Sequence, residues 1–125
     1  MITVLALALL LGSSHEGGFP ARVTQAKLIE AGTAGTAYQK VLWGQIGNPT
    51  TDAYRSCLAS NAPADTTPFT LVADVGADGK PSHVEVMPAT PVAKCMAGQF
   101  TTWTLPKPPA DPSPYPIEID YSIAK

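Results

Sequence analysis

One stretch restricts the fold more than any other. From Phe69 to Val75 the side chains alternate, placing Phe69, Leu71, Ala73 and Val75 on one face. A period of two is the mark of a half-buried strand. Gly76-Ala77-Asp78-Gly79-Lys80 follows, and Asp-Gly between two such runs predicts a hairpin, because glycine accepts the positive φ of a tight turn. The return strand is His83-Val84-Glu85-Val86-Met87, with Val84 and Val86 on one face. Pro81 and Pro88 bound it, since proline cannot donate to a ladder. A third alternating run closes the chain: Tyr115, Ile117, Ile119, Tyr121 and Ile123 share a face, with Glu118 and Asp120 opposite. Three strands of this kind need an apolar cover on one side.

Helical patterns supply that cover. Thr90 is a good N-cap, Pro91 suits the first helical position, and Val92, Cys95, Met96 and Phe100 form a stripe. Thr50 or Thr51 is a candidate cap for another helix, with Asp52 in its first turn and Tyr54, Cys57 and Leu58 on one face. Upstream, Val23, Ala26, Leu28 and Ile29, then Ala37, Tyr38, Val41, Leu42 and Ile46, suggest two short helices or one broken one. Gly32 and Gly35 weaken the middle, Thr36 is a candidate cap, and Pro49 is expected to stop the second. The predicted class is α+β: a small three-stranded antiparallel sheet with helices packed on one face, in the order α-β-β-α-β.

The apolar run from Ile2 to Leu11, followed by Gly12, Ser13 and Ser14, is too short to span a bilayer as a helix and fits a signal peptide cut after Ser13 or Ser14. The alternative is a buried N-terminal helix or strand, since no Lys or Arg lies near Met1. Export gives the only two cysteines, Cys57 and Cys95, a context, because in an oxidising compartment two cysteines usually pair. Two separate buried thiols are the alternative. The expected organisation is 1–14 signal peptide, 15–49 an N-terminal extension with short helices, and 50–125 the α+β domain.

Residues 54–121 resemble the C-terminal domain of TonB-type energy transducers, in particular the disulfide-bearing group of gliding-motility and other envelope proteins. The likeness rests on Arg55-Ser56-Cys57 in a first helix, the strand from Phe69, the Asp78-Gly79-Lys80 turn and Val84-Glu85-Val86. It continues with Cys95 on a second helix, Phe100 and Trp103, Leu105-Pro106-Lys107-Pro108 and the closing strand. It implies a cell-envelope protein-binding module, and domains of this kind pair strands with partners or in homodimers. The relatives carry an anchoring membrane helix and a long Pro-rich linker, which this sequence does not show, and Leu58 follows Cys57 where they have tyrosine. The fold is therefore expected to carry over, and force transmission from a membrane motor is not.

Little points to chemistry. The histidines are His15, near the cleavage point, and His83, on the face opposite Val84. Asp74, Asp78 and Glu85 are close enough in the hairpin to consider paired carboxylates, but they are placed on the solvent face. No metal motif, phosphate loop or basic patch is present, so no enzyme activity, cofactor or metal and no nucleic-acid partner is expected. Trp103 and Lys107, beside the proline run, and Tyr115, Ile117, Ile119 and Tyr121 of the closing strand are the candidate protein-binding residues, with Trp43 a second exposed-aromatic candidate. The expected setting is the periplasm or the secreted space, with an envelope protein as partner, a possible homodimer through the closing strand, and no stable membrane anchor after cleavage. A second reading is a secreted inhibitor or immunity-type protein that blocks an envelope enzyme through residues 107–114.

Overall fold

A computed structural model describes residues 18–122. The proposed signal peptide at 1–14, His15 and Ile123 lie outside the described residues. The elements are α1 (Gly18–Glu30), α2 (Thr33–Ser60), β1 (Phe69–Val75), β2 (Pro81–Met87), α3 (Pro91–Phe100) and β3 (Tyr115–Tyr121). The strands form one antiparallel sheet in the order β2-β1-β3, so β1 is central and β3 is an edge. The α-β-β-α-β order of residues 33–121 is the one the sequence pattern predicts.

The hairpin turn works as its residues dictate. Gly79 has φ +84°, the Gly76 N–H donates to Lys80 O (2.9 Å), and the Asp78 carboxylate accepts from the Lys80 N–H (3.0 Å). The Leu105 N–H donates to Gly79 O (2.8 Å), and a Cβ at Gly79 would collide with Leu105 O. Glycine is therefore required there for both its φ and its lack of bulk. Helix α3 starts as expected, the Thr90 hydroxyl accepting from the Ala93 N–H (3.1 Å). The β1–β2 register shifts between Val72 and Asp74, and His83 sits there at φ +51°.

Two sequence expectations need correction. Pro49 does not end a helix: α2 runs from Thr33 to Ser60 with Pro49 inside it, so neither Thr50 nor Thr51 is a cap. Proline removes one intrahelical bond, but Tyr38, Leu42, Ile46, Thr50, Ala53 and Cys57 make one unbroken buried stripe across it. Tertiary burial along that stripe outweighs the local penalty. Thr36 is not a cap either. Gly32 occupies that position, and the Thr36 hydroxyl instead donates to Glu30 O (3.2 Å) from inside the helix.

On the apolar face, Phe69, Leu71, Ala73, Val75, Tyr115, Ile117, Ile119 and Tyr121 pack against α2 and α3. Tyr54, Phe69 and Tyr121 form an aromatic trio with ring centroids 5.1–6.3 Å apart. The Cys57–Cys95 disulfide joins α2 to α3 across the back of the sheet, with Cα atoms 5.7 Å apart. The Tyr38 hydroxyl donates to Pro106 O (2.8 Å) and the Gln45 amide to Thr104 O (2.7 Å), pinning the chain that leaves α3.

Helix α1 lies on the other face, a layer the sequence pattern left unplaced. Its Arg22 reaches Glu85 (2.6 Å) and Asp74 (3.5 Å), and its Lys27 lies 3.3 Å from both Glu118 and Asp120. Beneath it Val72 is 1% exposed, and Asp74 and Glu118 are buried. Asp74 is thus not on the solvent face, as its alternation with apolar residues suggested. The α1–α2 corner is tight, since a Cβ on Gly35 would run into Ile29 O.

Candidate functional site

An open groove of about 470 Å³ lies between α2 and the end of β3. Its size falls within the range of ligand sites. One wall is a stripe of α2 built from Trp43, Thr50, Thr51, Tyr54, Arg55 and Leu58; the other is Asp120, Tyr121 and Ser122. Helical spacing produces the first wall: Trp43, Thr50, Tyr54 and Leu58 stand seven, four and four residues apart. Small side chains at Gly47, Thr50 and Thr51 leave a depression between Trp43 and Tyr54. A Cβ at Gly47 would meet nothing within 4 Å.

The groove's polar lining is only partly met. The hydroxyls of Thr50, Tyr54 and Tyr121 are buried; those of Thr50 and Tyr121 lie close enough to interact with each other, and that of Tyr54 has no hydrogen-bond partner among the described residues. Tyr121 is 6% exposed and Thr50 8%. Burial pushes the Tyr121 hydroxyl up to about 12, with a hydrogen bond to Thr50 working against that and Tyr54 adding to it. Burial also raises Tyr54. All three are therefore neutral groups able both to donate and to accept. Buried hydroxyls without partners cost free energy, about 1–3 kcal/mol each, unless water or a ligand meets them. Of the two charges at the rim, Asp120 accepts from Thr70 (2.7 Å) and pairs with Lys27, whereas Arg55 makes no ion pair among the described residues. Trp43 is 40% exposed, an indole open to contact.

The outer edge of β3 adjoins this groove. Pro116 has no N–H to offer, and the Glu118 N–H donates to the Glu30 carboxylate (3.2 Å) rather than to a strand. The edge is therefore capped at its start and middle, while Asp120 and Ser122 at its end form part of the groove wall.

The candidate residues from the sequence fall in different places. Tyr115, Ile117, Ile119 and Tyr121 are side chains of the core, at most 6% exposed, so a partner strand would meet their backbone and not their faces. Tyr121 alone also lines the groove. Trp103 is half-buried against Phe100, with ring centroids 5.4 Å apart, and Lys107 is exposed on the loop beyond. Neither approaches the groove lining. Trp43 does, with Thr50 and Tyr54, which the sequence reading did not single out for binding. Their signal was the helical spacing from Trp43, masked by the expectation that Pro49 separates them.

The carboxylates do not form a catalytic pair. Asp74 and Glu85 share the Arg22 guanidinium, and Asp78 holds the hairpin turn. Ser82, His83 and Asp74 are adjacent, but both Ser82 Oγ (3.4 Å) and Asp74 Oδ2 (3.2 Å) approach His83 Nδ1. A relay needs its nucleophile and its carboxylate on opposite ring nitrogens. A smaller cleft of about 170 Å³, bordered by Arg22, Asp74, Pro114 and Pro116, is lined by a charge pair already made. Among the described residues no group of three or more His, Cys, Asp or Glu side chains is placed to hold a metal ion. Nor is any described helix long and apolar enough to cross a membrane.

Comparison of the chain with protein-family models, with curated proteins and with solved structures finds no match in any of the three.

Proposed function

We propose that this protein is an exported binding module of the cell envelope that docks an extended segment of a partner protein in the groove between α2 and the end of β3. The observation that carries the reading is the set of three buried hydroxyls, Thr50, Tyr54 and Tyr121, whose hydrogen-bonding capacity is not filled among the described residues, beside an exposed indole. A peptide backbone supplies both donors and acceptors to such hydroxyls, and an apolar side chain fills the space between Trp43 and Leu58. Arg55, the rim charge with no ion-pair partner among the described residues, favours an acidic residue next to it. The likeness of residues 54–121 to the C-terminal domain of TonB-type transducers points the same way. So does the disulfide, which suits an oxidising compartment.

The test is selection of random displayed peptides on the oxidised domain. Enriched sequences are expected to pair an aromatic or aliphatic residue with a neighbouring Asp or Glu. Trp43→Ala should weaken a selected peptide more than tenfold, as expected for an aromatic anchor, and Arg55→Glu should do so selectively for the acidic sequences. Binding that is indifferent to both substitutions, or no enrichment at all, rejects this site.

The inhibitor reading is favoured by one observation only. The exposed loop around Lys107 is rooted rigidly, through Tyr38 to Pro106 and Gln45 to Thr104, as a presented loop requires.

A further inference from the structure

The β3 edge holds an arrangement that the docking groove does not explain. Two carboxylates, Glu30 from α1 and the buried Glu118 from β3, face each other, and the backbone N–H of Glu118 is bonded to one of Glu30's oxygens. Among the described residues only one cation stands close: Lys27, 3.3 Å from Glu118, half exposed and shared with Asp120. The remaining neighbours do not balance the pair. Asp120 on β3 is acidic and held by Thr70 of β1, the Tyr115 hydroxyl is buried and unpartnered, and Tyr38 of α2 spends its hydroxyl on Pro106. Arg22, the other cation of α1, is committed to Asp74 and Glu85.

We propose that the Glu30 side chain is a proton-operated cap on the outer edge of β3. It is in place while Glu30 carries its proton and is withdrawn when Glu30 ionises. A protonated Glu30 can hydrogen-bond to the Glu118 side chain, while an ionised Glu30 meets the charge of Glu118 in a partly buried site. Burial, then the charge of Glu118, raises Glu30 from its ordinary 4.5 to about 7, outweighing the Glu118 N–H bond, which by itself favours the ionised form. The sign follows: the protonated, capped form is favoured below that value, and its advantage is lost as pH rises through it. Withdrawal needs only rotation of the Glu30 side chain, because the Glu30 backbone is held by the Thr36 hydroxyl, which donates to Glu30 O (3.2 Å). The freed Glu118 N–H then extends the bonding edge from the groove toward Pro116. Proton concentration would thereby set how much of β3 is available to a partner. This inference rests on the reading of β3 and its groove as a docking surface, but its test needs no partner.

Hydrogen exchange of the Glu118 amide, followed by NMR in the full chain without any peptide, reads the cap directly. Between about pH 5.5 and about pH 8.5, protection should fall more than about tenfold beyond the intrinsic rise in exchange rate, one unit of coupled pKa being tenfold. Glu30→Gln keeps the acceptor but cannot ionise, and should flatten that dependence. Glu118→Gln removes the opposing charge and should move the transition to lower pH. Glu118 protection that is unchanged across this range, or equally pH-dependent in Glu30→Gln, overturns the cap whatever peptides do. A working cap with peptide binding that ignores pH would instead count against docking along β3.

Discussion

On one side of the sheet, Leu71, Val75, Ile117 and Tyr115 meet Leu42, Met96 and Phe100; on the other, Asp74, Glu85, Glu118 and Asp120 meet Arg22 and Lys27. The buried charged residues, Arg22, Asp74 and Glu118, all lie on the second side. Both sides are covered by helix, yet the forces differ. Apolar burial depends on area and packing, is non-directional and is indifferent to pH. Ionic closure depends on each partner keeping its charge, and its net contribution is small because desolvation offsets attraction. The apolar side is therefore the part that specifies the fold. The α1 side is conditional, which is why the pH-sensitive pair is found there.

Three perturbations sharpen that contrast. Phe100→Ala, in the apolar layer, should cost about 3–5 kcal/mol in urea unfolding, with little dependence on salt. A cost near 1 kcal/mol would mean that the core is looser than its burial indicates. Reducing the Cys57–Cys95 bond should cost about 3–4 kcal/mol in the chain-entropy view, seen as a lower unfolding midpoint in reductant. Arg22→Ala, which deprives the buried Asp74 of its guanidinium, should cost about 2–3 kcal/mol. The double change Arg22→Met with Asp74→Leu should recover most of that loss, because two apolar groups need no partners. If the double variant is as unstable as the single, the ion pair specifies the position of α1 more strongly than the comparison of faces allows.

The elements whose local pattern and tertiary role coincide were readable in advance. The hairpin was, because alternation, Asp78-Gly79 and the flanking prolines all favour it. So was α3, where Thr90, Pro91 and the Val92–Met96–Phe100 stripe agree. What stayed hidden required knowledge of distant partners. Pro49 looks like a stop because the bond it removes is local, whereas the stripe from Tyr38 to Cys57 that holds the helix straight through is paired with a sheet not yet formed. Asp74 reads as a solvent residue because its burial needs Arg22, which is 52 positions away. The groove was half visible: Trp43 stood out as an aromatic, but Thr50 and Tyr54 became its neighbours only once α2 was continuous.

The contact between Gly79 and Leu105 carries a further consequence. The Leu105 N–H is tied to the hairpin tip, Tyr38 holds Pro106, and β3 begins at Tyr115 in register with Val75. Residues 107–114 thus hang between two fixed posts. Lengthening that span is a matter of loop closure alone, about 0.6 kcal/mol for each doubling, and none of it is passed on to strand register. The scaffold can accordingly accept new sequence at this point without renegotiating its sheet, which makes it the place where lineages, or an engineer, can diversify the molecule most cheaply.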